Sequence, residues 1–181
     1  DTPSSVLGGP SQDFVLGMHV RDEIESNPSQ FPIMPEVTED KINAYNFLRN
    51  QILTPILADD DVKLADQFAY QEIKIISDTT VLNAFATPGG FIYVYAGLIL
   101  YLDELDHLVG VIGHEIAHAE RRHSIKQLEK QYGLSILLAI ITGSSESQLT
   151  EIAAQIAGTT AALAFSRSDE SEADEFAVKY T

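Results

Sequence analysis

Apolar residues recur at Leu105, Leu108, Val109, Ile112, Ile116 and Ala119, the 3.6-residue period of one helical face. The stretch 102–122 around them has no proline, although Gly110 and Gly113 weaken it as a helix former. Asp103, Glu104 and Asp106 crowd its start, and Arg121, Arg122 and His123 its end, as the helix dipole favours. Further helices are predicted over 13–26, 38–58, 124–142 and 147–164, with Pro55 kinking or shortening the second. A polar loop spans 143–146. A last helix, capped by Ser168, runs on through Phe176 and Val178. Strand patterning covers 70–77, 81–86 and 91–95, and a Pro88-Gly89-Gly90 turn joins the last two. These elements predict an α+β fold: mostly helical layers packed on a small antiparallel sheet.

Composition narrows the class. The chain has 181 residues, 45% of them hydrophobic, enough for one core, so 1–181 reads as a single domain. Residues 1–10, rich in Pro, Ser and Gly, read as a loose leader. The first residue is Asp1 rather than Met, which suggests a processed or trimmed chain. A formal charge of −16 argues against nucleic acid and against anionic membrane surfaces. The absence of cysteine excludes disulfides and thiolate metal sites. No apolar run approaches the roughly 20 residues that span a bilayer. The stretch 134–142 is too short, and 149–165 carries Glu151, Gln155 and several threonines. No charged segment followed by an apolar core marks a signal peptide.

The chemistry sits in His114-Glu115-Ile116-Ala117-His118. Residues four apart on a helix lie about 40° apart on one face, so both imidazoles can reach one metal ion. Glu115 stands beside them, within reach of a water on that metal. This is the spacing of a zinc-hydrolase helix. A histidine pair on an ordinary amphipathic helix is the plainer alternative. The glutamate between the two rings and the apolar residues around it favour zinc.

A catalytic zinc needs a third protein ligand. A downstream histidine on the metzincin pattern would require Gly at 121 and His at 124, where this chain has Arg121 and Ser124. His123, on a continuing helix, would be rotated about 140° from His118 and reads as a surface residue. The other option is the acidic run Asp169-Glu170-Ser171-Glu172-Ala173-Asp174-Glu175. Glu170 and Asp174 share a face, one placed to bind metal and the other to accept the remaining N–H of a ligand histidine. Glu172 and Glu175 point elsewhere, into solvent. Acidic runs are more often wet surface, so the pattern alone leaves this option open.

Three segments in order, NAFATPGGFIYVYAGLI, VIGHEIAHAERRHS and FSRSDESEADEFA, resemble peptidase family M48 over about residues 81–178. This gluzincin family includes HtpX, the CAAX prenyl proteases and periplasmic or mitochondrial quality-control proteases. The resemblance implies one Zn2+ held by His114, His118 and Glu170, with Glu115 as catalytic base and Asp174 supporting a ligand from behind. The Asn-Ala-Phe run also resembles the cleft strand of thermolysin-like enzymes. That implies substrate contacts at Asn83 and Ala84, against the plainer reading of a structural hairpin. In this family the group that stabilises the oxyanion comes from beyond the glutamate helix. The chain reaches only Thr181, so its C-terminal part is expected to be truncated. Tyr180 and His107 are weak substitutes. His107, about 10 Å along the helix from His114, is assigned a structural role instead.

The implied function is a zinc metalloendopeptidase acting on unfolded or misassembled proteins in quality control. The missing transmembrane segment fits the exported branch of the family, in the bacterial periplasm, with room for peripheral membrane association. The competing reading is a chaperone-like or binding module with a structural or autoinhibited zinc.

Overall fold

The computed structural model describes residues 8–158, 163 and 165–179. The first seven residues of the expected leader, part of the end of the expected 147–164 helix, and Tyr180 lie outside the described residues. Helix α1 (Pro10–Glu25) opens with the proline in its first turn, where its fixed φ suits a helix start. It begins three residues earlier than the periodicity indicates.

Helix α2 (Glu39–Phe47) is capped by Thr38, whose hydroxyl accepts the Lys41 N–H at 3.4 Å. It runs without a break into a π-helical stretch (Leu48–Leu53) and then α3 (Thr54–Leu57). Pro55 sits in the first turn of α3. The expected effect of this proline takes the form of a widened helix: the Thr54 N–H bonds the Arg49 carbonyl, five residues back.

The sheet has three short strands, β1 (Lys74–Ile76), β2 (Ala84–Ala86) and β3 (Ile92–Tyr95), in the order β1-β3-β2. The β2–β3 pair is antiparallel, with Phe85 opposite Tyr93. The β1–β3 pair is parallel, so the sheet is mixed rather than wholly antiparallel. A tight turn fixes the direction of β2 against β3. β1 is no hairpin neighbour of β3, and its direction is set by the longer path between them. Residues 70–72, expected as strand, form a single 3-10 turn.

Helix α4 (Ala96–Tyr101) follows, unforeseen by the pattern, and then the long α5 (Leu105–Glu120). The expected 124–142 helix is two, α6 (His123–Tyr132) and α7 (Leu134–Ile141), broken at Gly133 with φ 88, a value open chiefly to glycine. Helix α8 (Glu146–Ile156) and α9 (Arg167–Val178) complete the described chain. Ser166, not Ser168, caps α9, its hydroxyl accepting the Asp169 N–H at 3.0 Å. Ser168 lies inside the first turn.

Alternation along β3 divides the core. Ile92 and Val94 face a cluster with Tyr45, Ile52, Ile112, Ile116 and Phe176, which fixes α5 and α9 against the sheet. Phe91, Tyr93 and Tyr95 face the other side, with Leu16 and Val20 of α1 and with Leu137 and Ile152. Helix α1 lies close on the β2–β3 turn. A Cβ on Gly17 would fall 1.9 Å from the Pro88 carbonyl oxygen, so no larger residue fits there.

Candidate active site

α5 carries both histidines of the sequence motif, and α9 packs along it. His118 Nε2 stands 2.7 Å from Glu170 Oε1 and 3.0 Å from His114 Nε2, and His114 Nε2 lies 3.6 Å from the same carboxylate oxygen. The structure thus brings His114, His118 and Glu170 to one point. Each contributes a ligand atom to a group within 4.8 Å.

The hydrogen bonds behind these rings fix which nitrogen carries the proton. Asp174 Oδ1 lies 2.8 Å from His114 Nδ1, and a carboxylate only accepts, so Nδ1 is protonated and Nε2 bears the lone pair. His118 Nδ1 lies 2.8 Å from His123 Nδ1. His123 Nε2 in turn donates to Glu172 Oε1 at 2.8 Å, with Asp169 Oδ1 at 3.4 Å. In a neutral His123, Nδ1 is therefore an acceptor, so His118 Nδ1 donates and its Nε2 also presents a lone pair. Burial, and then the charges that His114 and His123 would carry, push the His118 pKa down to about 3. It stays neutral at physiological pH.

With Nδ1 of each ring donating, His114 Nε2, His118 Nε2 and Glu170 Oε1 face one another as acceptors. Glu170 Oε1 is buried and has no hydrogen-bond partner. Such a cluster is repulsive until a cation fills it. Two neutral imidazoles and one carboxylate match the ligands of a catalytic zinc, with a fourth position left for water.

Two expectations are overturned here. His123 is fully buried rather than on the surface. The 140° rotation assumed that the helix continues, whereas α5 ends at Glu120 and Arg122 adopts a left-handed conformation (φ 57, ψ 34). That turn starts α6 with the His123 ring against His118. Glu172, expected in solvent, holds His123, although half of its side chain is exposed. Arg122 is the one non-glycine residue at positive φ among the described residues, a conformation that costs about 1–2 kcal/mol. Its guanidinium makes a two-pronged bond to Asp13 of α1, Nε to Oδ2 at 2.7 Å and Nη2 to Oδ1 at 2.8 Å. Asp13 is 1% exposed.

Glu115 projects from α5 toward β2. Burial first, and then the negative charge of Glu170, raise its pKa to about 8, while the Ala86 N–H bonds it and pulls the other way. Without a cation the carboxyl holds a proton at neutral pH. A nearby dication reverses the Glu170 contribution and favours the carboxylate.

A cleft of about 160 Å³ is lined by Asn83, Ala84 and Ala86, by Glu115 and His118, and by Leu163 and Phe165. The Phe165 ring stacks on His118, centroids 4.1 Å apart. β2 is an edge strand. Hydrogen bonds from Tyr95 N–H to the Asn83 carbonyl and from Thr87 N–H to the Phe91 carbonyl set its phase. By antiparallel alternation, the backbone groups of Ala84 and Ala86 turn away from β3. The Ala86 N–H meets Glu115, and the Ala84 groups border the cleft.

His107 stands apart from His114, His118 and Glu170. Its side chain is 60% exposed, 3.8 Å from Glu104, at the far end of an apolar groove that His114 and Asp174 also border. It is neither a core residue nor a partner of the ion site.

Sequence reasoning missed Asp13, Arg122, His123 and Phe165. The signal for His123 was the basic run after the motif. A helix end inside that run was legible from its basic residues, but the left-handed turn there was not, because arginine occupies the position glycine usually takes.

The model of Peptidase family M48 matches residues 48–181. A putative beta-barrel assembly-enhancing protease of Vibrio cholerae is 34% identical over 108 residues, 54% of this chain and 22% of its own length. Metalloprotease YcaL of Escherichia coli is 31% identical over 105 residues, 54% of this chain and 39% of its own length. Mitochondrial metalloendopeptidase OMA1 of Schizosaccharomyces pombe is 32% identical over 105 residues, 57% of this chain and 30% of its own length. The chain therefore spans well under half the length of these relatives.

Proposed function

This chain belongs to peptidase family M48, and from that membership and the site geometry we propose that it is a zinc-dependent endopeptidase with Glu115 as its general base. The observation that carries this reading is the convergence of three ligand atoms, His114 Nε2, His118 Nε2 and the buried Glu170 Oε1, on one point. His114, His118 and Glu170 would hold one Zn2+. When bound, zinc supplies a Lewis acid that lowers the pKa of water from 15.7 toward about 7 and polarises the scissile carbonyl.

The protein's own groups do the rest. Asp174 and His123 hold the two ligand rings in the tautomer that presents Nε2. Glu115 takes the proton of the attacking water and returns it to the leaving amine. An extended substrate adds to the edge of β2 through the Ala84 N–H and C=O, with the Asn83 side chain beside them. Phe165 covers the outer face of the His118 ring and keeps water from it.

The substrates are unfolded or misassembled polypeptides, and the place of action is outside the cytoplasm, in the bacterial periplasm. One observation supports this: a relative is named for enhancing beta-barrel assembly. No helix among the described residues is long and apolar enough to cross a membrane. Peripheral contact with a membrane remains compatible with that picture.

Casein cleavage by the zinc-loaded protein, with and without chelator and beside Glu115→Gln, tests the reading. We expect cleavage that chelator abolishes and zinc restores. The Glu115→Gln protein should bind zinc and lose activity by about 10²–10⁴-fold. Cleavage that survives in zinc-loaded Glu115→Gln would overturn the assignment.

A further inference from the structure

We propose that Asp13 and Arg122 are positioning residues for the ion site, acting through the backbone turn between α5 and α6. This inference rests on the metal reading above. The turn decides where His123 lies. Helix α5 ends at Glu120, and Arg122, at φ 57 and ψ 34, reverses the chain so that His123 opens α6. There its Nδ1 meets His118 Nδ1 at 2.8 Å. Had Arg122 stayed right-handed, the helix would have continued and carried His123 away from His118.

Glycine is the usual occupant of this position, because it adopts the left-handed region freely. Arginine does not. Its guanidinium is locked instead by the planar, two-pronged bond to the Asp13 carboxylate, which is 1% exposed. An ion pair at that depth persists only when its geometry is well satisfied, as it is here. Helix α1 thus reaches the ligand His118 in three steps: Asp13 to Arg122, the Arg122 backbone to His123, and His123 to His118. The same helix packs on the β2–β3 turn through Gly17, so it touches both the strand wall of the cleft and the corner behind the metal helix. Asp13 lies outside the residues 48–181 that match the family, so this brace comes from this chain's own N-terminal segment.

Two double variants isolate the turn. Asp13→Ala/Arg122→Ala and Asp13→Ala/Arg122→Gly both remove the ion pair and leave no buried charge unpaired. They differ only in how freely residue 122 turns left-handed. Zinc affinity is read by chelator competition, and the hydrogen-bonded His118 Nδ1 proton by NMR of the metal-free protein. The alanine double variant should lose tenfold or more in zinc affinity and lose the protected ring-proton signal. The glycine double variant should keep the signal and stay within about threefold of the wild type. Equal behaviour of the two variants, whether both lose the site or both keep it, would overturn the proposal. If the wild-type protein binds no zinc at all, the metal reading fails, and the His118 proton signal still decides whether the turn positions the ring.

Discussion

Glu115 shows how one residue carries opposite demands. Its raised pKa means that the metal-free folded state binds a proton more tightly than the unfolded chain does. Between the ordinary carboxylate value near 4.5 and about 8, the unfolded state ionises while the folded state must keep the proton or bury a charge. The Glu115 contribution to the stability of the metal-free protein therefore falls as pH rises through that window. Glu115→Gln removes the term, so the metal-free variant should be more stable than wild type at pH 8, by an order of a few kcal/mol, and equal to it near pH 4. Urea unfolding of both proteins at the two pH values checks this, and equal stabilities at pH 8 would contradict it. His118 acts in the other direction. Its depressed pKa opposes protonation, so its contribution is complete above about 6.5 and is lost as pH falls toward 3. The two effects oppose each other between about 4.5 and 6.5, and above about 6.5 the Glu115 effect stands alone.

At the level of elements, Glu120 ties the end of α5 to the loop before β1. Its carboxylate accepts the Lys63 N–H at 2.6 Å, the Leu64 N–H at 3.1 Å and the Tyr70 hydroxyl at 2.8 Å. Glu120→Ala should lower stability by about 2–4 kcal/mol, since two backbone donors and a buried hydroxyl lose their acceptor. A thermal melt of the zinc-loaded variant measures the loss, and an unchanged melting temperature would show that water replaces the carboxylate. α5 itself was legible in the sequence, because its apolar stripe and its acidic and basic ends agree with one another. The strands β2 and β3 were legible from the turn between them. Chain direction in β1 was not, since no local pattern encodes a pairing made across an intervening strand. The glutamate helix was legible, but its cap was assigned to Ser168, whereas Ser166, two residues earlier and with the same capping chemistry, holds that place. The left-handed sense of the turn at Arg122 was hidden for a physical reason: it is braced by Asp13, 109 residues away, rather than supplied by a glycine.

The molecule as a whole carries a formal charge of −16, and Asp169, Glu170, Glu172, Asp174 and Glu175 place five carboxylates on the helix that borders the site. The field around the cleft should draw in cationic segments of an unfolded chain and repel acidic ones. For an endopeptidase of this kind, kcat/KM for a lysine-rich unstructured peptide should fall severalfold between low and physiological ionic strength, while that for an acidic peptide rises. Salt-independent cleavage of both would show that the field plays no part in capture.

The proposed chemistry depends on a cation at the centre of the convergent acceptors. Crystals of the zinc-loaded protein, measured at the zinc absorption edge, test that claim most directly. The account predicts one anomalous peak within coordination range, about 2.0–2.2 Å, of His114 Nε2, His118 Nε2 and a Glu170 carboxylate oxygen. A zinc-loaded crystal with no peak between these residues, or with Glu170 turned away from it, would contradict the account.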